Sequence, residues 1–116
     1  MTKSTSDSLT VLLAEDEVLI AETLGDALED AGFAVIKAPT TDAAMAALED
    51  DPDVVVTDIR MPGAGGMELL KASVASDPDR PVIVMTGFAT VDNAVEAMRL
   101  GAVNYIQKPF RNDAVV

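Results

Sequence analysis

Five short apolar runs, separated by stretches whose apolar residues recur at helical spacing, limit what this chain can fold into more than any other feature. The runs are Leu9 to Ala14, Phe33 to Ile36, Val54 to Thr57, Pro81 to Thr86 and Ala102 to Gln107. Runs of this length between chain-breaking residues predict strands, and the continuous run Val54 to Thr57 reads as one buried on both faces, as in a parallel sheet. Between them the spacing predicts a helix from about Glu17 to Ala31, with Ile20, Leu24, Ala27, Leu28 and Ala31 on one face and Gly32 as its stop. Thr40 or Thr41 is expected to cap a short helix over Ala43 to Glu49. A third helix is predicted from about Met67 to Ala75, with Met67, Leu70 and Val74 inward. A fourth, capped by Thr90, is predicted with Val91, Ala94, Val95 and Met98 inward and Gly101 at its end.

Strands alternating with helices in this way imply a parallel α/β sheet with helices on both faces and right-handed crossovers. The residues alone leave the strand order open; the expected solution at this size is the flavodoxin-like, doubly wound order 2-1-3-4-5. The first eight residues, MTKSTSDS, read as a solvated tail, and residues 9–116 as one domain. A fifth helix is expected near Arg111 to Asp113, with only its first turn in the sequence, so the helix reads as truncated and the chain as a piece of a longer protein.

Composition narrows the chemistry. The chain has no Cys and no His, which removes thiol chemistry, disulfides and the usual zinc ligands. Its net charge of -12 argues against direct nucleic-acid binding by this segment, because phosphate backbones attract Lys and Arg. No run approaches the ~20 apolar residues that span a bilayer. With no targeting segment in the sequence, the cytoplasm is the expected compartment.

The predicted strand ends deliver Glu15 and Asp16, then Asp58, Thr86 and Lys108, to one edge of the sheet. Open α/β sheets bind their ligands at that edge. Carboxylates gathered within a few ångströms repel one another and either take up a proton or bind a cation. Oxygen ligands without His or Cys suit Mg²⁺. Asp16 and Asp58 are the best direct ligands, Glu15 acts through a water, and the backbone carbonyl of Arg60 completes the protein side. Asp58 is then placed to attack phosphorus and form an acyl phosphate, with Lys108 as the counter-charge. Each residue alone has a plainer reading: Asp58 as a turn residue, Glu15 to Glu17 as helix-dipole complements, Thr86 as a strand hydroxyl, Lys108 as a surface lysine and Tyr105 as a half-buried strand aromatic.

With the acidic pair in VLLAEDE, the segment TDIRMPG with Gly66 downstream, the MTG after the fourth strand and GAVNYIQKPF, the chain resembles the receiver domain of bacterial two-component response regulators. The resemblance implies that Asp58 is the phosphoacceptor and that Glu15 and Asp16 are the acidic pair that holds Mg²⁺. It also implies that Thr86, Lys108 and Tyr105 bind the phosphoryl group and switch, and that Lys108-Pro109 is a cis peptide. The implied partners are a sensor histidine kinase and an output domain in cis or a downstream effector, with a homodimer through the helix four–strand five face. Such a domain is a phosphoacceptor switch rather than an enzyme, its only chemistry being self-directed phosphoryl transfer and autodephosphorylation. The run from Thr86 to Phe110 looks most like receivers of transcription regulators, including activators of the sigma-54 polymerase. Arg60, Gly87 and Phe88 are expected to tune the site: Gly87 by leaving room for the donor, Arg60 and Phe88 by hindering water, which the phosphoryl lifetimes of Arg60→Asn and Phe88→Ala test.

Two other functions fit parts of the pattern. A hydrolase of the haloacid-dehalogenase type also uses a strand-end Asp with Mg²⁺, but commonly carries a second Asp where this chain has Arg60, and a cap domain. A flavodoxin-like nucleotide binder needs phosphate-binding amides in its first loop, where this chain has Glu15-Asp16-Glu17.

Overall fold

The computed structural model describes residues 9–59, 65–86 and 91–107, with the backbone alone at 86, 91–94 and 105–107. The elements alternate as predicted: β1 (Thr10–Ala14), α1 (Val18–Asp30), β2 (Ala34–Ala38), α2 (Thr41–Ala47), β3 (Val54–Asp58), α3 (Gly66–Ser76), β4 (Val82–Thr86), α4 (Val91–Arg99) and β5 (Asn104–Gln107). A single turn of 3₁₀ helix, Leu48–Asp50, follows α2. All strand pairs are parallel and the order is β2-β1-β3-β4-β5, the doubly wound arrangement expected. The tail at 1–8, the cap at Thr90 and the expected fifth helix lie outside the described residues.

Strand alternation splits the core in two. Leu12, Ala14, Val55, Val82 and Val84 face one side, where they pack with Ala44 and Ala47 of α2, Leu69 and Leu70 of α3 and Ala97 of α4. Val11, Leu13, Val56 and Met85 face the other, against Leu24 and Leu28 of α1. Most of these side chains are fully buried, and at ~25 cal/mol per Å² their burial is the main force holding helices to sheet.

Three helix faces differ in phase from the periodicity. In α1 the buried set is Ala21, Leu24, Gly25 and Leu28; Ile20 and Ala27 are half-buried and Ala31 is exposed. In α3 it is Gly66, Leu69, Leu70 and Ser73, with Met67 and Val74 at the margin. Among the described side chains of α4, Ala97 packs in the core, as does Leu100 just after the helix, while Val95 and Met98 are 58% and 49% exposed; the side chains of Val91 and Ala94 lie outside the described ones. In each case small residues, Ala21 and Gly25, Gly66 and Ser73, or Ala97, stand in the buried stripe. Larger apolar residues one position away are left at the edge.

Helix ends follow local chemistry. The α1 terminus places Gly32 at φ +101, with its N–H bonded to the carbonyl of Glu29 and that of Phe33 bonded to Leu28, both at 3.0 Å. This is the double-bonded glycine stop that a left-handed residue permits. Thr40 caps α2 by accepting from the N–H of Ala43 at 3.1 Å.

Candidate functional site

The register aligns the carboxyl ends of the strands at one rim. Ala14 pairs with Ala38 on one side and Thr57 on the other; Asp58 pairs with Met85, and Thr86 with Gln107. β1 runs directly into Glu15 and Asp16, and β3 ends in Asp58. Glu15, Asp16 and Asp58 are thereby brought together, and each offers a carboxylate oxygen within 4.8 Å of the others. Glu15 and Asp58 are buried, at 2% and 5% exposure, whereas Asp16 is open to solvent.

Glu15 serves two roles. Its carboxylate accepts from the backbone N–H of Glu17 at 3.1 Å, at the start of α1, where a carboxylate complements the helix dipole. The same buried group lies in the acidic cluster, so the helix-start contact and a place beside Asp16 and Asp58 are compatible in one side chain. Asp58 is fixed through its backbone. The Thr57 hydroxyl donates to the Asp58 carbonyl at 3.0 Å, and the Ile59 N–H continues the ladder to Met85 at 3.1 Å. Gly66 lies against the same carbonyl, where any Cβ would collide with its oxygen. That close approach is why α3, the helix after β3, starts on glycine.

The arrangement fits a hard divalent cation. Three carboxylate oxygens from two strand ends converge, the set contains no nitrogen or sulfur, and the exposed side at Asp16 leaves room for the waters that Mg²⁺ or Ca²⁺ retains. Of the other expected site residues, Thr86 lies on the β4 backbone one residue beyond the level of Asp58, and Tyr105 pairs in register with Val84. Arg60, Gly87, Phe88, Lys108 and Pro109 lie outside the described residues. Two contributors to the rim escape sequence reasoning: the hydroxyls of Thr41 and Thr57, both fully buried. Neither has a local signal, because the partner of Thr41 is 24 residues away and Thr57 is indistinguishable from an ordinary strand threonine.

Residues 11–116 match the response regulator receiver domain, and the chain belongs to that family, a phosphoacceptor signalling module. It is 44% identical over 110 residues to the C4-dicarboxylate transport transcriptional regulatory protein DctD of Pseudomonas aeruginosa, covering 91% of this chain and 23% of that protein. It is 41% identical over 111 residues to the transcriptional regulatory protein FixJ of Azorhizobium caulinodans, covering 95% and 53%. The chain therefore spans about a quarter of the length of the first relative and about half of the second. Among solved structures, a CheY-like receiver domain protein from Methanospirillum hungatei superposes with a TM-score of 0.89 at 28% identity, covering 94% of this chain and 88% of that one. A response regulator from Burkholderia pseudomallei, with a phosphorylated aspartic acid, calcium ion and citrate, superposes at 0.87 with 28% identity, covering 93% and 64%.

Proposed function

We propose that Asp58 takes a phosphoryl group from the phosphohistidine of a sensor kinase and that the resulting acyl phosphate switches an output, in transcription regulation, within the cytoplasm. The observation that carries this reading is the juxtaposition of Asp58 with Glu15 and Asp16 at the carboxyl rim of a receiver-family sheet. In the transfer an Asp58 carboxylate oxygen bonds to phosphorus while the P–N bond to the kinase imidazole breaks, its electron pair leaving with the nitrogen. Asp16 and Asp58 would hold a Mg²⁺ ion directly, Glu15 through a water and Arg60 by its carbonyl, and the ion would offset the negative charge on the transferring group. Lys108 pairs with the phosphoryl group, the Thr86 hydroxyl bonds to it, and Tyr105 follows the threonine. Hydrolysis by water resets Asp58.

The test is incubation with acetyl phosphate and Mg²⁺ followed by intact mass. One phosphate is expected on the wild-type chain and none on Asp58→Ala. Continuous phosphate release from excess acetyl phosphate without an adduct would favour a hydrolase instead. Val95, Met98 and Val103 are all about half exposed or more, which supports the α4–β5 face as the surface that meets a second copy. Sedimentation of the phosphorylated chain should show a dimer that Val95→Asp disrupts; a monomer throughout rejects that face.

A further inference from the structure

We infer that Thr41 is a positioning residue for the Asp58 centre, acting through Gly65 and Gly66; the inference rests on the reading of Asp58 as the phosphoacceptor. Thr41 opens α2 yet is 0% exposed, an unusual place for a threonine at the start of a short helix. The helix does not need its side chain, because the neighbouring Thr40 supplies the cap. The Thr41 Oγ1 instead accepts from the backbone N–H of Gly65 at 3.0 Å, joining segments 24 residues apart. Gly65 leads into Gly66, whose N–H donates to the Ile59 carbonyl at 2.8 Å. A Cβ on Gly66 would come within 2.9 Å of the Ile59 Cα and would collide with the Asp58 carbonyl. Backbone packed this tightly transmits displacement instead of absorbing it.

The hydroxyl of α2 thus fixes Gly65, Gly65 fixes Gly66, and Gly66 sets one wall against the Asp58 backbone. Thr57 holds the same carbonyl by donating to it. Precision matters here because the Asp58 carboxylate must share a cation with Glu15 and Asp16, and ligands of such sites must sit within about 0.5 Å of their productive positions. Partners one layer out from a metal ligand typically change metal affinity about 10- to 100-fold when removed.

The experiment measures Mg²⁺ binding to the unphosphorylated chain by calorimetry and amide hydrogen exchange at Gly65. Thr41→Val keeps the shape and loses the oxygen; its Mg²⁺ dissociation constant is expected to rise about tenfold. Thr41→Ser keeps the oxygen and is expected to restore wild-type binding. In the wild-type chain, saturating Mg²⁺ is expected to slow exchange at Gly65, because coupling between two sites is reciprocal. An unchanged constant in a folded Thr41→Val, or a Thr41→Ser as impaired as the valine variant, overturns the inference. A Gly65 amide indifferent to Mg²⁺ in the wild type also overturns it, and needs no variant to fold. Labelling of Asp58 is read separately: a wild-type chain that binds Mg²⁺ but takes no phosphate removes the phosphoacceptor reading, and Thr41 then stands or falls on metal binding alone.

Discussion

At the amino rim of the sheet a buried cation is surrounded by acceptors, while at the carboxyl rim two buried carboxylates, of Glu15 and Asp58, lie close to the exposed one of Asp16. Arg80, just before β4, is 5% exposed and makes four hydrogen bonds: Nε to the Pro52 carbonyl, Nη1 to the hydroxyls of Ser73 and Ser76, and Nη2 to Asp51. The planar guanidinium ties the turn before β3 and the end of α3 to the start of β4, a task that needs its fixed fork of donors. Nearby, Asp53 accepts from the Thr10 N–H at 2.7 Å and closes β1 onto β3. At the opposite rim Glu15, Asp16 and Asp58 crowd like charges within 4.8 Å. A cation bonded to several acceptors ties elements together, whereas carboxylates gathered at one place offer ligands to a cation. The contrast separates a rim that holds the sheet from the rim proposed above for the chemistry, and it can be broken experimentally.

The largest effect is expected at the satisfied rim. Arg80→Ala should lower stability by about 2–4 kcal/mol, from the lost bonds and the space left behind, with Arg80→Lys recovering little. Urea denaturation measures it, and a loss under about 0.5 kcal/mol would show that the clamp is ornamental. Mg²⁺ sharpens the comparison from the other side. At ten times its dissociation constant the ion should add about 1.4 kcal/mol to wild-type stability by mass action. At one fixed Mg²⁺ concentration, ten times the wild-type dissociation constant, the gain should vanish in Asp16→Asn and persist in Arg80→Ala; if Asp16→Asn keeps it, the ion binds elsewhere. The smallest effect is expected at Asp51. Its side chain is 83% exposed although its Arg80 partner is 2% exposed, so solvent screens the pair. Asp51→Asn should cost less than about 1 kcal/mol, the more so because asparagine also tolerates the left-handed φ of 54 found there. A larger loss would mean that the charge of Asp51, and not only its oxygen, anchors the arginine.

Much of this molecule is legible before folding, and for local reasons. The runs that became β1, β3 and β4 are rich in apolar and β-branched residues, Gly32 stops α1, and Thr40 caps α2. The acidic pair and Asp58 are legible as site candidates because each directly follows or ends such a run. Less legible is which stripe of a helix faces inward. α4 offers Val95 and Met98 on one stripe and Ala97 and Leu100 on the next, and apolar periodicity does not choose between them. Packing against the sheet buries Ala97 and leaves Val95 and Met98 about half exposed.

The sequence alone determined the class of element at each position and the chemistry available at strand ends, because both depend on near neighbours along the chain. Only the tertiary structure decided which acids meet, that Arg80 is buried with four partners, and that a threonine of α2 reaches the backbone beyond Asp58. Those contacts join residues of different elements. Their distances are set by the order and register of the parallel strands, which no short window of sequence contains.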